Sequence, residues 1–144
     1  LPWGVLVLFG GGIALSMAFQ SSGLSDLIAQ QLRGLAALPL LPMLLLIVAS
    51  VVLLSEIFSN TATAVLLMPI MASVALAIDV DPALLMFPTV MAASVGFMLP
   101  VATAPNVIAY GSGRVPAQRM LREGAMMDAL GVVVVCAVCY AAFR

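Results

Sequence analysis

One polar run interrupts an otherwise apolar chain: Ser55-Glu56-Ile57-Phe58-Ser59-Asn60-Thr61-Ala62-Thr63, set between LLLIVASVVLL and AVLLMPIMASVALAI. Its polar side chains are hydroxyls, one amide and one carboxylate. In a hydrocarbon environment each such group left unpaired costs roughly 2 to 7 kcal/mol, so the run must satisfy itself or bind something. A second polar interruption follows at Leu99-Pro100-Val101-Ala102-Thr103-Ala104-Pro105-Asn106. Its two prolines remove backbone donors and disfavour helix before each of them, so a helix over 83–112 is predicted to break at 99–106. Broken helices at membrane depth are tolerated where the freed backbone lines a cavity. Thr103 and Asn106 make this break a binding element rather than a simple proline kink.

Neutral oxygens on half-helix ends suit a particular chemistry. Helix N-termini present N–H groups and a positive dipole end to anions, and C-terminal carbonyls coordinate sodium, a hard cation. The chain carries no Lys or His, and its arginines stand toward the ends of the spans or outside them, so the set fits an anion accompanied by sodium rather than one held by a fixed positive charge. Enzymatic chemistry is disfavoured. The chain has no His and no Lys, Glu56 reads as the one acidic residue deep in a span, and neither a nucleophile–base pair nor a catalytic carboxylate pair can be assembled. Glu56 itself reads as a structural carboxylate held by N–H groups of the adjacent turn, its alternative being a functional charge at membrane depth. Cys136 and Cys139 form CxxC inside VVVVCAVCYAAF, without the polar loop or further ligands of a redox or zinc motif, and read as packing residues. Asp79 and Asp81 bring too few oxygens for calcium.

The elements that must hold these residues are membrane helices. Of 144 residues, 65% are hydrophobic and 8% charged, where a soluble domain carries about 25% charge, and the mean hydropathy is +1.27. The reading is an all-α polytopic membrane protein, a single membrane unit over 1–144. It comprises a transmembrane helix at 2–20, an amphipathic surface helix at 21–35, a helical hairpin at 38–78 with its tip at 55–63, a discontinuous helix at 83–112, and a final transmembrane helix at 117–143. Each hairpin arm reaches roughly 25 Å at ~1.5 Å per residue, so a re-entrant pair and two ordinary spans both fit. Gly10, Ala14 and Ala18 recur at intervals of four, as helix-packing positions do. Asp81 caps the helix that Pro82 opens. The loop with Arg114, Arg119 and Arg122 is assigned to the cytoplasm, against Arg33 and Arg144 on the other face, so the hairpin opens outward. The net charge of −1 supports no nucleic-acid surface. The start at Leu1, almost inside a helix, reads as a piece of a longer protein.

SEIFSNTATAVLLMPI, followed about forty residues later by FMLPVATAPN and then YGSG, resembles the divalent anion/sodium symporter family in motif, order and spacing; GGG in the first helix and the SGL after it fit as well. The resemblance covers essentially the whole chain. It implies an inverted-repeat transporter fold, in which the hairpin is re-entrant and the chain is the C-terminal, second repeat. It further implies that Ser59, Asn60, Thr61 and Thr103 contact a substrate carboxylate. A sodium site is implied from Ser55, Asn60 and the carbonyls of Phe58 and Ala102. Position 55 is often Thr in the family, and position 104 often Pro where this chain has Ala.

The function expected is sodium-coupled secondary transport of di- or tricarboxylates or sulfate, with sodium as coupling ion. The alternatives are an anion exchanger on the same fold, or a structural membrane subunit without transport. The expected partners are the divalent anion, the lipid bilayer, the N-terminal remainder of the carrier and a second copy in a homodimer. The expected location is the cell membrane, crossed several times, the inner membrane if the source is bacterial.

Overall fold

The computed structural model describes residues 3–24, 27, 30 and 38–144. Six helices are present among them: α1 (Trp3–Ser21), α2 (Leu40–Ile57), α3 (Asn60–Ala77), α4 (Pro82–Ala92), α5 (Ala104–Gly111) and α6 (Ala117–Phe143). No strand occurs among the described residues, and the fold is all-α. The amphipathic stretch at 21–35 lies largely outside the described residues.

Helices α2, α3 and α6 are each long and apolar enough to cross a bilayer. At ~1.5 Å per residue the 18 residues of α2 and of α3 reach about 27 Å, close to the ~30 Å hydrocarbon core. Helix α4, with 11 residues, and α5, with 8, are each far too short. They flank the non-helical stretch 93–103.

The core is organised by α2. Its buried positions come in pairs one turn apart: Met43 and Leu44, Ile47 and Val48, Val51 and Val52, then Ser55 and Glu56. This is the stripe that a 3.6-residue period directs to one side, and its last turn is polar. Val74 and Ala75 of α3, Leu85 and Ala92 of α4, and Val135, Cys136 and Cys139 of α6 complete the cluster. Both cysteines are free and buried, and they pack as small apolar residues. Helix α4 contacts both α2 and α3, while those two arms contact each other less than either contacts α4. The hairpin is thus splayed around α4. Helix α1 packs on α3, but Gly10 and Gly11 meet nothing within 4 Å among the described residues, so those two glycines make no close approach there.

Two boundaries differ from expectation. The hairpin tip is far tighter than 55–63. Helix α2 continues to Ile57 and α3 begins at Asn60, leaving only Phe58 and Ser59 outside helix. Ser59 permits this abrupt restart because its Oγ accepts the Ala62 amide at 3.3 Å, an N-cap. The break covers 93–103 rather than 99–106, so Ala104, Pro105 and Asn106 already belong to α5. It begins before either proline because α4 tightens at its end. Ser94 N and Val95 N bond back only three residues, to Met91 O and Ala92 O. Beyond Val95, side chains from other helices replace the helical partners of the backbone. Asp81 Oδ1 accepts Ala83 N at 2.9 Å and caps α4 at its proline start.

Candidate functional site

The hairpin tip and the break meet around Gly96. A β-carbon placed on Gly96 would lie 3.3 Å from Asn60 Oδ1, 3.3 Å from Ser55 Oγ and 3.6 Å from Glu56 Oε1. Three oxygens, from the end of α2 and the start of α3, therefore converge where this residue lacks a side chain. Any larger residue at 96 would occupy their meeting point.

Each oxygen has a different hydrogen-bonding state. Ser55, fully buried, directs Oγ at Val95 O (2.6 Å) and Val52 O (2.8 Å). A hydroxyl has one proton to donate and keeps acceptor lone pairs, so Ser55 holds the break and remains a competent oxygen ligand. Asn60 Oδ1 is buried and meets no hydrogen-bond donor among the described residues. Buried amide oxygens are nearly always satisfied, so this one is available to a cation or another donor. Glu56, 3% exposed, accepts Met98 N at Oε1 (2.9 Å) and Leu99 N at Oε2 (2.6 Å). Charge-assisted bonds contribute about 1.5 to 3 kcal/mol each, which is how a buried carboxylate is tolerated. The structural expectation for Glu56 thus corresponds to real N–H partners, but they come from the break and not from the adjacent tip.

Asp128 was missing from the sequence reading, which counted Glu56 as the sole acidic residue deep in a span. It lies on α6, 4% exposed, and its Oδ1 accepts Phe97 N at 3.0 Å. The signal was present in the sequence: Gly124, Asp128 and Gly131 fall on one helical face at intervals of four and three. Both glycines mark close approach. A β-carbon on Gly124 would overlap the Phe97 carbonyl and Met98 Cα, and one on Gly131 would lie 2.6 Å from Val95 Cγ1.

The other expected residues are distributed unevenly. Ser59 is exposed and caps α3. Thr103, half-buried, caps α5 by accepting Asn106 N at 3.3 Å. Thr61 is exposed and, with Asn60, lines the polar end of an open cleft of about 620 Å³ whose walls include Met68, Met86 and Val90. Ala102 is buried within the unwound stretch. Phe58, half-exposed, is the C-cap of α2, where helix carbonyls run out of partners. Asn106 donates its Nδ2 to Gly96 O (3.3 Å) and Leu99 O (3.0 Å), bridging the break from the α5 side. Thr63 Oγ1 is also buried without a partner among the described residues. No group of three or more His, Cys, Asp or Glu able to hold a metal occurs among the described residues. For sodium, a hard cation that takes oxygen donors, Asn60 Oδ1, without a partner among the described residues, and Ser55 Oγ are suitable donors.

Comparison with known proteins follows the same lines. The chain is 44% identical over 140 residues to the sodium-dependent dicarboxylate transporter SdcS of Staphylococcus saprophyticus, covering 97% of this chain and 27% of the relative. It is 41% identical over 140 residues to SdcS of Staphylococcus aureus strain USA300, with the same coverage. The chain therefore spans about a quarter of the length of these relatives, and it matches their C-terminal part. They are transporters rather than enzymes, and the apolar helices make this a multi-pass protein of the cell membrane. Residues 1–143 match the model described as sodium:sulfate symporter transmembrane region, and the chain belongs to that family.

Proposed function

We propose that the chain is the C-terminal part of a secondary carrier that moves a dicarboxylate together with sodium, and that the tip–break junction is half of its binding site. The observation that carries this reading is the convergence on Gly96 of Ser55 Oγ and of Asn60 Oδ1, which has no partner among the described residues, inside an apolar bundle and beside unwound backbone. Relatives named for sodium-dependent dicarboxylate transport support it. On this reading Ser55, Asn60 and the carbonyls of Phe58 and Ala102 hold sodium, a co-transported substrate.

Ser59, Asn60, Thr61 and Thr103 face one carboxylate of the anion. The N-terminus of α3 opens at Asn60 and that of α5 at Ala104, and both bring free N–H groups and positive dipole ends to the same partner. Sodium beside the carboxylate offsets its charge without a fixed basic residue. The hairpin arms act as a re-entrant pair, and the second half of the site comes from the inverted repeat in the remainder of the carrier. The working unit is a homodimer.

The test is uptake of labelled succinate by the complete carrier in proteoliposomes, with and without a sodium gradient, for wild type and Asn60→Ala. The expected result is sodium-dependent uptake in the wild type, and normal expression with uptake reduced at least a hundredfold in the variant. Wild-type uptake indifferent to sodium would remove symport. Loss of folding rather than of transport in Asn60→Ala would make the polar knot a packing device.

A further inference from the structure

Asp128 has no role in the site as proposed above, yet it is buried and specifically engaged. It lies between Gly124 and Gly131, where α6 touches the break, and its Oδ1 accepts the Phe97 amide at 3.0 Å. The next two amides, Met98 and Leu99, go to Glu56. Three consecutive N–H groups are thus held by carboxylates from two different helices.

A trans peptide is planar, with its N–H and C=O pointing in opposite directions. The plane that carries the Phe97 N–H also carries the Gly96 carbonyl. Asp128 therefore holds one edge of this peptide, and Asn106 Nδ2 holds the other at 3.3 Å from Gly96 O. Gly96 is the residue against which Ser55 Oγ and Asn60 Oδ1 are seated. Rotating that peptide would alter the space those two oxygens share. From this geometry we infer that Asp128 is a positioning residue for sodium: it locks the 96–97 peptide and so sets sodium affinity, without touching the ion or the anion.

This inference rests on the sodium-coupled reading above, and the experiment separates the two. In the complete carrier, sodium half-saturation of succinate uptake and the succinate KM at saturating sodium are compared for wild type, Asp128→Ala and Asp128→Asn. Asn retains an oxygen for the Phe97 amide. Its NH₂ takes the place of Oδ2, which is buried without a donor among the described residues, on a side chain that lies near Glu56. The expected result is that Asp128→Ala raises the sodium needed for half-maximal uptake at least tenfold. The succinate KM stays within twofold, and Asp128→Asn returns the sodium requirement to within threefold of wild type. An unchanged sodium requirement in Asp128→Ala, sodium and succinate affinities moving together, or an Asn variant as impaired as Ala would each overturn the positioning role. If Asp128→Ala does not yield folded protein, thermal melting of purified Asp128→Asn with and without sodium decides. A sodium-induced rise matching that of wild type supports the role, and its loss overturns it. A wild-type carrier that ignores sodium would instead defeat the transport reading itself.

Discussion

At the residue scale, the hydroxyls at the tip and break have structural work that sits beside any contact with substrate. Ser59 Oγ caps α3, so replacing it tests two roles at once unless the replacement is chosen to separate them. At an N-cap, Ala costs about 1 kcal/mol, whereas Gly costs only a few tenths. Ser59→Ala should therefore lower the melting stability of the carrier by about 1 kcal/mol, and Ser59→Gly by a few tenths. If Ser59 also contacts the anion, both variants raise the succinate KM equally. A KM that tracks the stability loss would mean that Ser59 acts only as a cap. The sequence disclosed that these residues were unusual, because polar side chains in an apolar run need partners. It did not disclose which partner each would take. Glu56 finds its donors at Met98 and Leu99, more than forty positions away, and no local pattern encodes that distance. Asp128 escaped notice because it stands only five residues from Glu123, in the charged first turns of α6, where a carboxylate reads as exposed. Its burial depends on Gly124 and Gly131 allowing the break to press against α6.

At the element scale, the break owes its position to packing more than to proline. Prolines at 100 and 105 predict unwinding near themselves, and the sequence reading accordingly placed it at 99–106. The unwound backbone begins at 93, where α6 comes close enough for Asp128 and α2 for Glu56 to replace the helical acceptors of residues 97–99. Gly124 is the permissive residue. In an exposed helix Gly→Ala would stabilise by about 0.5 to 1 kcal/mol. Here the added β-carbon overlaps the Phe97 carbonyl and Met98 Cα, which are backbone and cannot swing aside as a side chain end can. Overpacking of this kind costs about 1 to 3 kcal/mol. Gly124→Ala should lower thermal stability in detergent by that amount and weaken sodium dependence by displacing the 97–99 amides. Gly131→Ala meets the Val95 side chain instead and should cost less. Equal effects from the two substitutions would show that the break does not rest on α6 at Gly124. The all-α class was readable, because long apolar runs and the Asp81 cap before Pro82 are local signals, whereas the Ser59 cap that closes the tip so tightly was not read. The splaying of α2 and α3 around α4 was not readable, since it depends on which faces find each other.

At the scale of the whole molecule, the polar junction borders a cleft that opens to one side. Its polar end is formed by Asn60 and Thr61, and Ser94 lies on its α4 side, exposed. Arg114 precedes α6, and Arg119 and Arg122 lie in its first turns; the expectation from the arginine balance is that this end faces the cytoplasm and the hairpin mouth faces outward. Ser94 offers a direct test, because Cys is nearly isosteric with Ser and, among the described residues, the hydroxyl makes a local bond to Val90 O at 3.3 Å. The native thiols do not interfere: Cys136 is 2% exposed and Cys139 fully buried. In a complete carrier stripped of cysteines elsewhere, Ser94→Cys should react with a membrane-impermeant thiol reagent added from outside. If the cleft is the approach to a shared sodium and dicarboxylate site, succinate with sodium together slows that reaction at least fivefold. Either one alone slows it much less, because each offsets the other's charge at a junction to which the described residues bring no basic side chain. Labelling only from the cytoplasmic face would reverse the orientation. Protection by succinate without sodium would separate the anion site from the oxygens around Gly96, and would require the carboxylate to be held by the helix N-termini of α3 and α5 alone.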